Sequence, residues 1–217
     1  TWLESGTYHR RDTCIRLGLG ETPCREAVGF TAGTVVREKR LAGKWNLKMY
    51  IGLISDTHGV FDEQFAGFFE PVDVIWHCGD FGGGEQFVRQ IEAVKPVVGV
   101  CGNCDGQEIR YRFPGHQLLE IQGLKLLMTH IAGSPDHYYP RALALIDAYK
   151  PDILLCGHSH ILKVMYDKQM NLMYINPGAA GLQGWQVERT ALRFKIEDGS
   201  LKDMEVLRVP RQQGNAF

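Results

Sequence analysis

Met49-Tyr50-Ile51-Gly52-Leu53-Ile54-Ser55-Asp56-Thr57-His58 is a short apolar strand that stops at a serine and hands over to an acid and an imidazole. A brief apolar run bounded by small and polar residues reads as a buried strand of an α/β sheet. Beyond His58 the chain alternates between helical and strand patterns. Phe61, Phe65, Phe68 and Phe69 recur at helical spacing and mark one core-facing helix face. Residues 72–78 read as the next strand, with Phe87, Ile91 and Val94 marking a helix behind it, and residues 96–101 read as a third strand. Residues 118–121 and 124–129, separated by Gln122-Gly123, read as a hairpin. A helix is expected over 142–148, capped by Asp136 or a neighbour, and a strand over 153–156. Strands over 161–166, 172–175, 187–196 and 204–209 close the chain, with Asp198-Gly199 as a tight turn. Strand–helix repeats followed by antiparallel strands predict an α/β, four-layer sandwich: two mixed β-sheets flanked by helices.

The strand ends carry the chemistry. Ser55-Asp56-Thr57-His58, Cys78-Gly79-Asp80, Cys101-Gly102-Asn103 and Cys156-Gly157-His158-Ser159-His160 each pair a small residue with a metal-competent side chain, and Thr129-His130 adds a fifth instance. Ligands bind beyond the carboxyl ends of strands in α/β sheets, so these loops should converge on one rim. The converging set is Asp56, His58, Asp80, Asn103, His130, His158 and His160. Imidazole mixed with carboxylate oxygen suits manganese, iron, zinc or nickel better than calcium or magnesium. Seven donors exceed the need of one tetrahedral site and match two metals sharing a carboxylate.

Each motif alone has a bland reading: Asp-x-His as a capped loop, Gly-Asp as a turn, a single histidine as a satisfied polar residue. The weight lies in five such events at successive predicted strand ends. Cys101-x-x-Cys104 lacks a second pair for a zinc ribbon and follows a strand instead of opening a helix, against a redox role. Cys78, Cys101 and Cys156 read as small buried hydrophobes beneath the loops. Gly82-Gly83-Gly84-Glu85 lacks the lysine of a phosphate-binding loop and reads as a flexible segment beside Asp80. His77 and His116 read as structural, while His137, Tyr138 and Tyr139 are candidates for lining a substrate pocket. No G-x-S-x-G elbow supports a serine hydrolase.

Taken in order, D-x-H, G-D, G-N-x-D, a lone histidine and G-H-x-H resemble the calcineurin-like metallophosphoesterase superfamily. With Asn176-Pro177-Gly178, the compact spelling is similar to its small YfcE/MJ0936-type phosphodiesterase branch. The resemblance runs from Met49 to about Val209. It implies that Asp56, His58 and His160 hold one divalent ion, that Asn103, His130 and His158 hold a second, and that Asp80 bridges them. It further implies attack on a phosphate ester by a metal-bridging hydroxide, with manganese first among the ions and zinc, iron or nickel as alternatives. Asn103 would also orient the substrate, and His137 joins it as a candidate substrate contact. Many relatives carry a histidine as general acid where this chain has Cys104, followed by Asp105. A thiol is a different proton donor, so weak activity on poor leaving groups is expected, and better activity on activated diesters. Asp105 serves either in that proton transfer or in orienting a neighbouring histidine. The competing implication is a catalytically weak protein-binding scaffold of the VPS29 type. The completeness of the seven donors argues for the enzyme.

The rest of the sequence bounds these expectations. Its 217 residues are 44% hydrophobic and 23% charged with a formal charge of −1, a balance that suits a globular protein and gives no strong nucleic-acid signal. No apolar run approaches the ~20 residues of a membrane span. Residues 1–48 are basic and glycine-interrupted, with nine Lys or Arg against five Asp or Glu. They read as a poorly ordered or non-native extension preceding the metallophosphoesterase domain at 49–217. Gly18-Leu19-Gly20 is a weak echo of a dinucleotide loop, and the polar end of the chain reads as a tail. With no secretory leader pattern, the expected location is cytoplasmic with reduced thiols. The expected partner is a small phosphate ester, in a chain whose small relatives suggest a homodimer.

Overall fold

The computed structural model describes residues 48–211; the expectations for the preceding extension, with Cys14 and Cys24, and for the final residues lie outside them. The core element is β1 (Met49–Ile54), paired in parallel with β2 (Val74–His77), which pairs in parallel with β3 (Val97–Gly99). On the other side of β1 lies β11 (Glu188–Glu197), antiparallel, and beyond it β12 (Ser200–Pro210), giving the order β12-β11-β1-β2-β3. The second sheet has the order β4-β5-β8-β10-β9, built from β4 (His116–Ile121), β5 (Leu124–Thr129), β8 (Ile153–Leu155), β9 (Leu162–Asp167) and β10 (Leu172–Pro177). β5, β8 and β10 run parallel.

Side-chain alternation sorts the core into three layers of contact. Ile51, Leu53 and Trp76 of the first sheet meet Leu126, Met128, Leu155 and Ile175 of the second. The opposite face of the first sheet, with Ile54 and Ile75, packs on Phe65 and Phe69 of α1 (Glu63–Phe69) and on Phe87 and Ile91 of α2 (Gly84–Glu92). The outer face of the second sheet, with Leu127, Leu154 and Tyr174, packs on Ala142 and Ile146 of α4 (Pro140–Tyr149). Helix, sheet, sheet, helix is the expected four-layer α/β sandwich. Gly52 is required on β1 because a Cβ there would stand 2.5 Å from the Phe69 ring.

Local chemistry explains the connections. Gln122 (φ +49°) with Gly123 (φ +82°), and Asp198 (φ +53°) with Gly199 (φ +65°), make hairpin turns with two left-handed residues, which match strand twist. α1 is capped by the Asp62 carboxylate, which accepts the Gln64 N–H at 3.2 Å.

Two expectations are corrected. α4 starts earlier than 142, with Tyr139 at its N-cap and Pro140 in its first turn. Proline's fixed φ begins the helix without a side-chain cap. Asp136 lies instead at φ +72° in the turn joining β6 (Gly133–Ser134) to β7 (His137–Tyr138). The six-residue helix α3 (Gln107–Arg112) follows the third strand where no helix was expected, since so short a segment carries almost no periodicity.

Candidate metal centre

The donor-bearing loops leave the carboxyl ends of parallel strands from both sheets, and main-chain hydrogen bonds stitch them together. Asp56 N donates to Gly79 O at 3.0 Å and His58 N to Asp80 O at 3.1 Å, joining the loops after β1 and β2. Gly157 N donates to His130 O at 3.0 Å, joining those after β5 and β8, and Ala180 N donates to Ser55 O at 3.0 Å across the sheets. Asp56, His58, Asp80, His158 and His160 all adopt left-handed backbone, with φ between 46° and 68°. A side-chain-bearing residue pays about 1 kcal/mol or more for that conformation, and such residues gather where function over-determines the backbone.

Among the described residues, three trios place their donor atoms within 4.8 Å of one another: Asp56–His58–His160, Asp56–Asp80–His130 and His58–Asp80–Cys104. His160 Nε2 stands 3.2 Å from Asp56 Oδ1, and His130 Nε2 stands 3.2 Å from Asp80 Oδ2 and 3.0 Å from Asn103 Oδ1. His158 enters through its N–H, which donates to Asp56 Oδ2 at 3.0 Å, and through its ring, 5.2 Å from that of His130. All seven predicted donors therefore meet at one rim. Asp56, Asp80 and His130 form its buried floor, and Asn103, Cys104 and His158 its exposed lip.

The proton inventory suits a cation. His130 Nδ1 lies 2.7 Å from the carbonyl of Cys78, which can only accept, so its proton is committed there. The Nε2 lone pair then faces the oxygens of Asp80 and Asn103. Only a proton or a metal cation relieves that confrontation. His160 repeats the pattern, with Nδ1 at 3.1 Å from Gln183 O and Nε2 turned to Asp56. Histidines that ligate metals characteristically donate their other N–H to a carbonyl in this way. Asp56 Oδ1 and His58 Nε2 are buried and accept or donate no well-formed hydrogen bond, which is what donor atoms reserved for an ion look like. The residues present thus fit divalent cations.

Charge coupling follows from the same contacts. Burial pushes the Asp56 and Asp80 carboxyls up, but the His160 and His130 imidazoles outweigh it and hold both below the ordinary range. Burial pulls the His130 imidazole down, and Asp80 and Asp56 more than offset it. Asp56 raises His160, whereas burial, with His130 beside it, lowers His158.

Cys104 and Asp105 reach the cluster differently. The Cys104 N–H donates to Asp80 Oδ1 at 2.8 Å, and burial together with the Asp80 charge pushes its thiol up to about 11. Asp105 is buried, and its carboxylate accepts main-chain N–H groups from Asp80, Gly82 and Gly102. His137 sits exposed on β7, paired with Ser134, and belongs to none of the three trios.

Two supporting residues lie outside the seven donors. Buried Asn176 donates to Gly157 O at 2.8 Å and to Ser159 Oγ at 3.1 Å, while its Oδ1 accepts Gly178 N–H at 2.9 Å; it fixes the loop bearing His158 and His160. It closes β10 in the Asn176-Pro177-Gly178 motif, whose supporting role the sequence did not state. Fully buried His77 accepts Gly79 N–H at Nδ1 (3.1 Å), leaving Nε2–H for Thr57 Oγ1 at 2.9 Å, and stacks 3.6 Å from Phe81.

A two-sheet sandwich with carboxylates and imidazoles at its strand ends belongs to the metal-dependent phosphoesterase class. The domain profile of the calcineurin-like phosphoesterase superfamily matches residues 49–199, and the chain belongs to that superfamily. No curated protein matches it by sequence. Among solved structures, an archaeal phosphodiesterase is 21% identical with a TM-score of 0.58, over 74% of this chain and 100% of that one. Vps29 of Chaetomium thermophilum is 16% identical with a TM-score of 0.60, over 75% and 99%. A predicted phosphoesterase from Streptococcus pneumoniae is 20% identical with a TM-score of 0.54, over 74% and 90%. At these identities the likeness is one of fold. No helix among the described residues is long and apolar enough to cross a membrane.

Proposed function

We propose that this protein hydrolyses phosphate esters, phosphodiesters in particular, with two divalent cations, manganese first among them. The observation that carries this reading is that the two buried carboxylates, Asp56 and Asp80, share one trio with His130 and each belong to a second trio containing His58. One carboxylate serving two donor sets is the arrangement a shared pair of ions needs. In this reading Asp56, His58 and His160 would hold one ion and Asn103, His130 and His158 the other, with Asp80 shared between them. Bound cations would supply Lewis acidity at phosphorus and lower the pKa of coordinated water from 15.7 toward about 7.

The chain's own groups do the rest. His130 and His160 keep their Nδ1 protons on carbonyls and so present Nε2 inward. Asn103 at the exposed lip is placed to orient a substrate oxygen. Cys104 holds its proton at neutral pH, which makes it a weak acid toward a leaving alkoxide and favours substrates that leave unaided.

Hydrolysis of a 4-nitrophenyl phosphodiester with Mn²⁺ tests the reading. Turnover should vanish with chelator and in Asp80→Ala, and metal analysis should find about two ions per chain. The second reading, a scaffold that binds proteins, is favoured by the Vps29 fold likeness. It is supported if turnover is absent while the fully loaded protein remains folded.

A further inference from the structure

Beside Cys104 a cavity of about 410 Å³ opens between the glycine loop at 82–84 and the segment 104–109. Ligand pockets run from roughly 300 to 1,000 Å³, so it is large enough for a small organic group. Cys104 is shared between this cavity and the trio with His58 and Asp80, which makes the two contiguous. The glycine wall is obligatory. A Cβ on Gly82 (φ +66°) would stand 2.6 Å from Gly59 N, and one on Gly83 (φ +64°) would stand 2.7 Å from Phe87 Cβ. Bare main chain therefore faces whatever enters.

The charge of the lining narrows what that is. Among the described residues no lysine or arginine lines the cavity. Arg110 behind it is turned to the carbonyls of Asp105 (2.7 Å), Gly102 (3.0 Å) and Asn103 (2.9 Å). Two main-chain donors of the glycine loop and the residue after it are already taken. Gly82 N–H is held by Asp105 Oδ1 and Glu85 N–H by Glu108 Oε2, both at 3.2 Å. What the lining still offers is the Glu108 carboxylate, the Gln107 amide and main chain. A hydroxyl, which donates and accepts, suits that set; an anion without a counter-cation does not.

We propose that this cavity receives a neutral, hydroxyl-bearing substituent of the phosphoester, of the glyceryl or sugar class, and rejects substituents carrying a second phosphate. The proposal rests on the phosphodiesterase reading. Its test uses three esters with one common leaving group: 4-nitrophenyl methyl, glyceryl and 2-phosphoethyl phosphates. Wild-type kcat/KM should favour glyceryl over methyl by about fivefold, the worth of one net hydrogen bond, and 2-phosphoethyl should be lowest.

Gly106 lines the cavity with an ordinary φ of −73°, and a Cβ there would meet no atom within 4 Å. Gly106→Phe should bring the glyceryl-to-methyl ratio to about one, and Gln107→Arg should raise the 2-phosphoethyl ester at least about fivefold relative to methyl. Saturation-transfer NMR of glyceryl methyl phosphate, on Asp80→Ala protein, should label the glyceryl protons and lose that label on adding Gly106→Phe. Equal kcat/KM for the three esters in the wild type overturns the proposal alone, as does a glyceryl advantage that survives Gly106→Phe. Should Gly106→Phe fail to fold, the wild-type series and Gln107→Arg still decide. Wild-type protein that turns over none of them overturns the phosphodiesterase reading itself.

Discussion

The carboxylate of Asp105 accepts the main-chain N–H of Asp80 at 3.0 Å. The same side chain accepts Gly102 N–H at 2.8 Å and Gly82 N–H at 3.2 Å, so one buried acid holds the loops after β2 and β3 in register. Burial raises its carboxyl while the Gly102 and Gly82 donors pull the other way, and burial prevails. Asp105→Ala strands three buried donors at about 1 kcal/mol each and should cost about 3 kcal/mol. Urea unfolding of chelated protein measures this. Asp105→Asn should fall between the two, and both should weaken Mn²⁺ binding in calorimetry by displacing Asp80.

Cys104 contacts Asp80 through its backbone and stands with His58 in one trio, where an imidazole would reach the same leaving group. Cys104→His should raise turnover of alkyl phosphodiesters about tenfold or more while changing aryl esters little, because general acid catalysis is worth most where the leaving group is poor. A plot of log kcat against leaving-group pKa should flatten in the variant. Identical slopes in the two proteins would remove Cys104 from proton transfer.

Glycines at the rim and in the helices answer differently to the same methyl group. A Cβ on Gly102 would fall on the Asp80 carboxylate, so Gly102→Ala should reduce Mn²⁺ affinity at least about tenfold, the scale of a displaced ligand support. Gly67, in the exposed middle of α1, has open space at its Cβ. Gly67→Ala should stabilise the fold by about 0.5–1 kcal/mol through lost unfolded-chain entropy. Thermal unfolding with parallel metal titration reads both.

His77 gives the fold an acid-sensitive element. Burial, joined by the nearby His130 and His58, against the pull of Asp56 and Asp80, lowers its pKa to about 3. The native state keeps this imidazole neutral, while the unfolded chain protonates it below about pH 6.5. Its stabilising contribution is therefore complete above that pH and is lost as the pH falls from about 6.5 toward 3, at up to about 1.4 kcal/mol per pH unit. Stability of chelated protein measured between about pH 7 and pH 4 should fall more steeply for the wild type than for His77→Gln.

Periodicity made most of the fold readable. The phenylalanine spacing that ends at Phe69, the apolar run of β1 and the paired turn residues Gln122-Gly123 each state a local preference that the packed molecule keeps. α3 escaped because six residues hold less than two turns of pattern, and the start of α4 was misplaced because Pro140 begins a helix without a capping side chain. The candidate site divides in the same way. Asp56, His58, Asp80, Asn103, His130, His158 and His160 stood out because each follows a strand end; the bonds made by Asn176 and His77 did not, since their work is done on atoms distant in the chain.

The amino-acid order by itself determined which donors exist and that strands would carry them to their ends, because strand and turn preferences act over a few neighbouring residues. Tertiary packing alone decided that His158 N–H lands 3.0 Å from Asp56 Oδ2 across 102 positions, that Asp80 sits in two donor sets, and that Asp105 faces main-chain amides. The first two join loops from both sheets, and only the sandwich, by burying its shared apolar layer, brings those loops together.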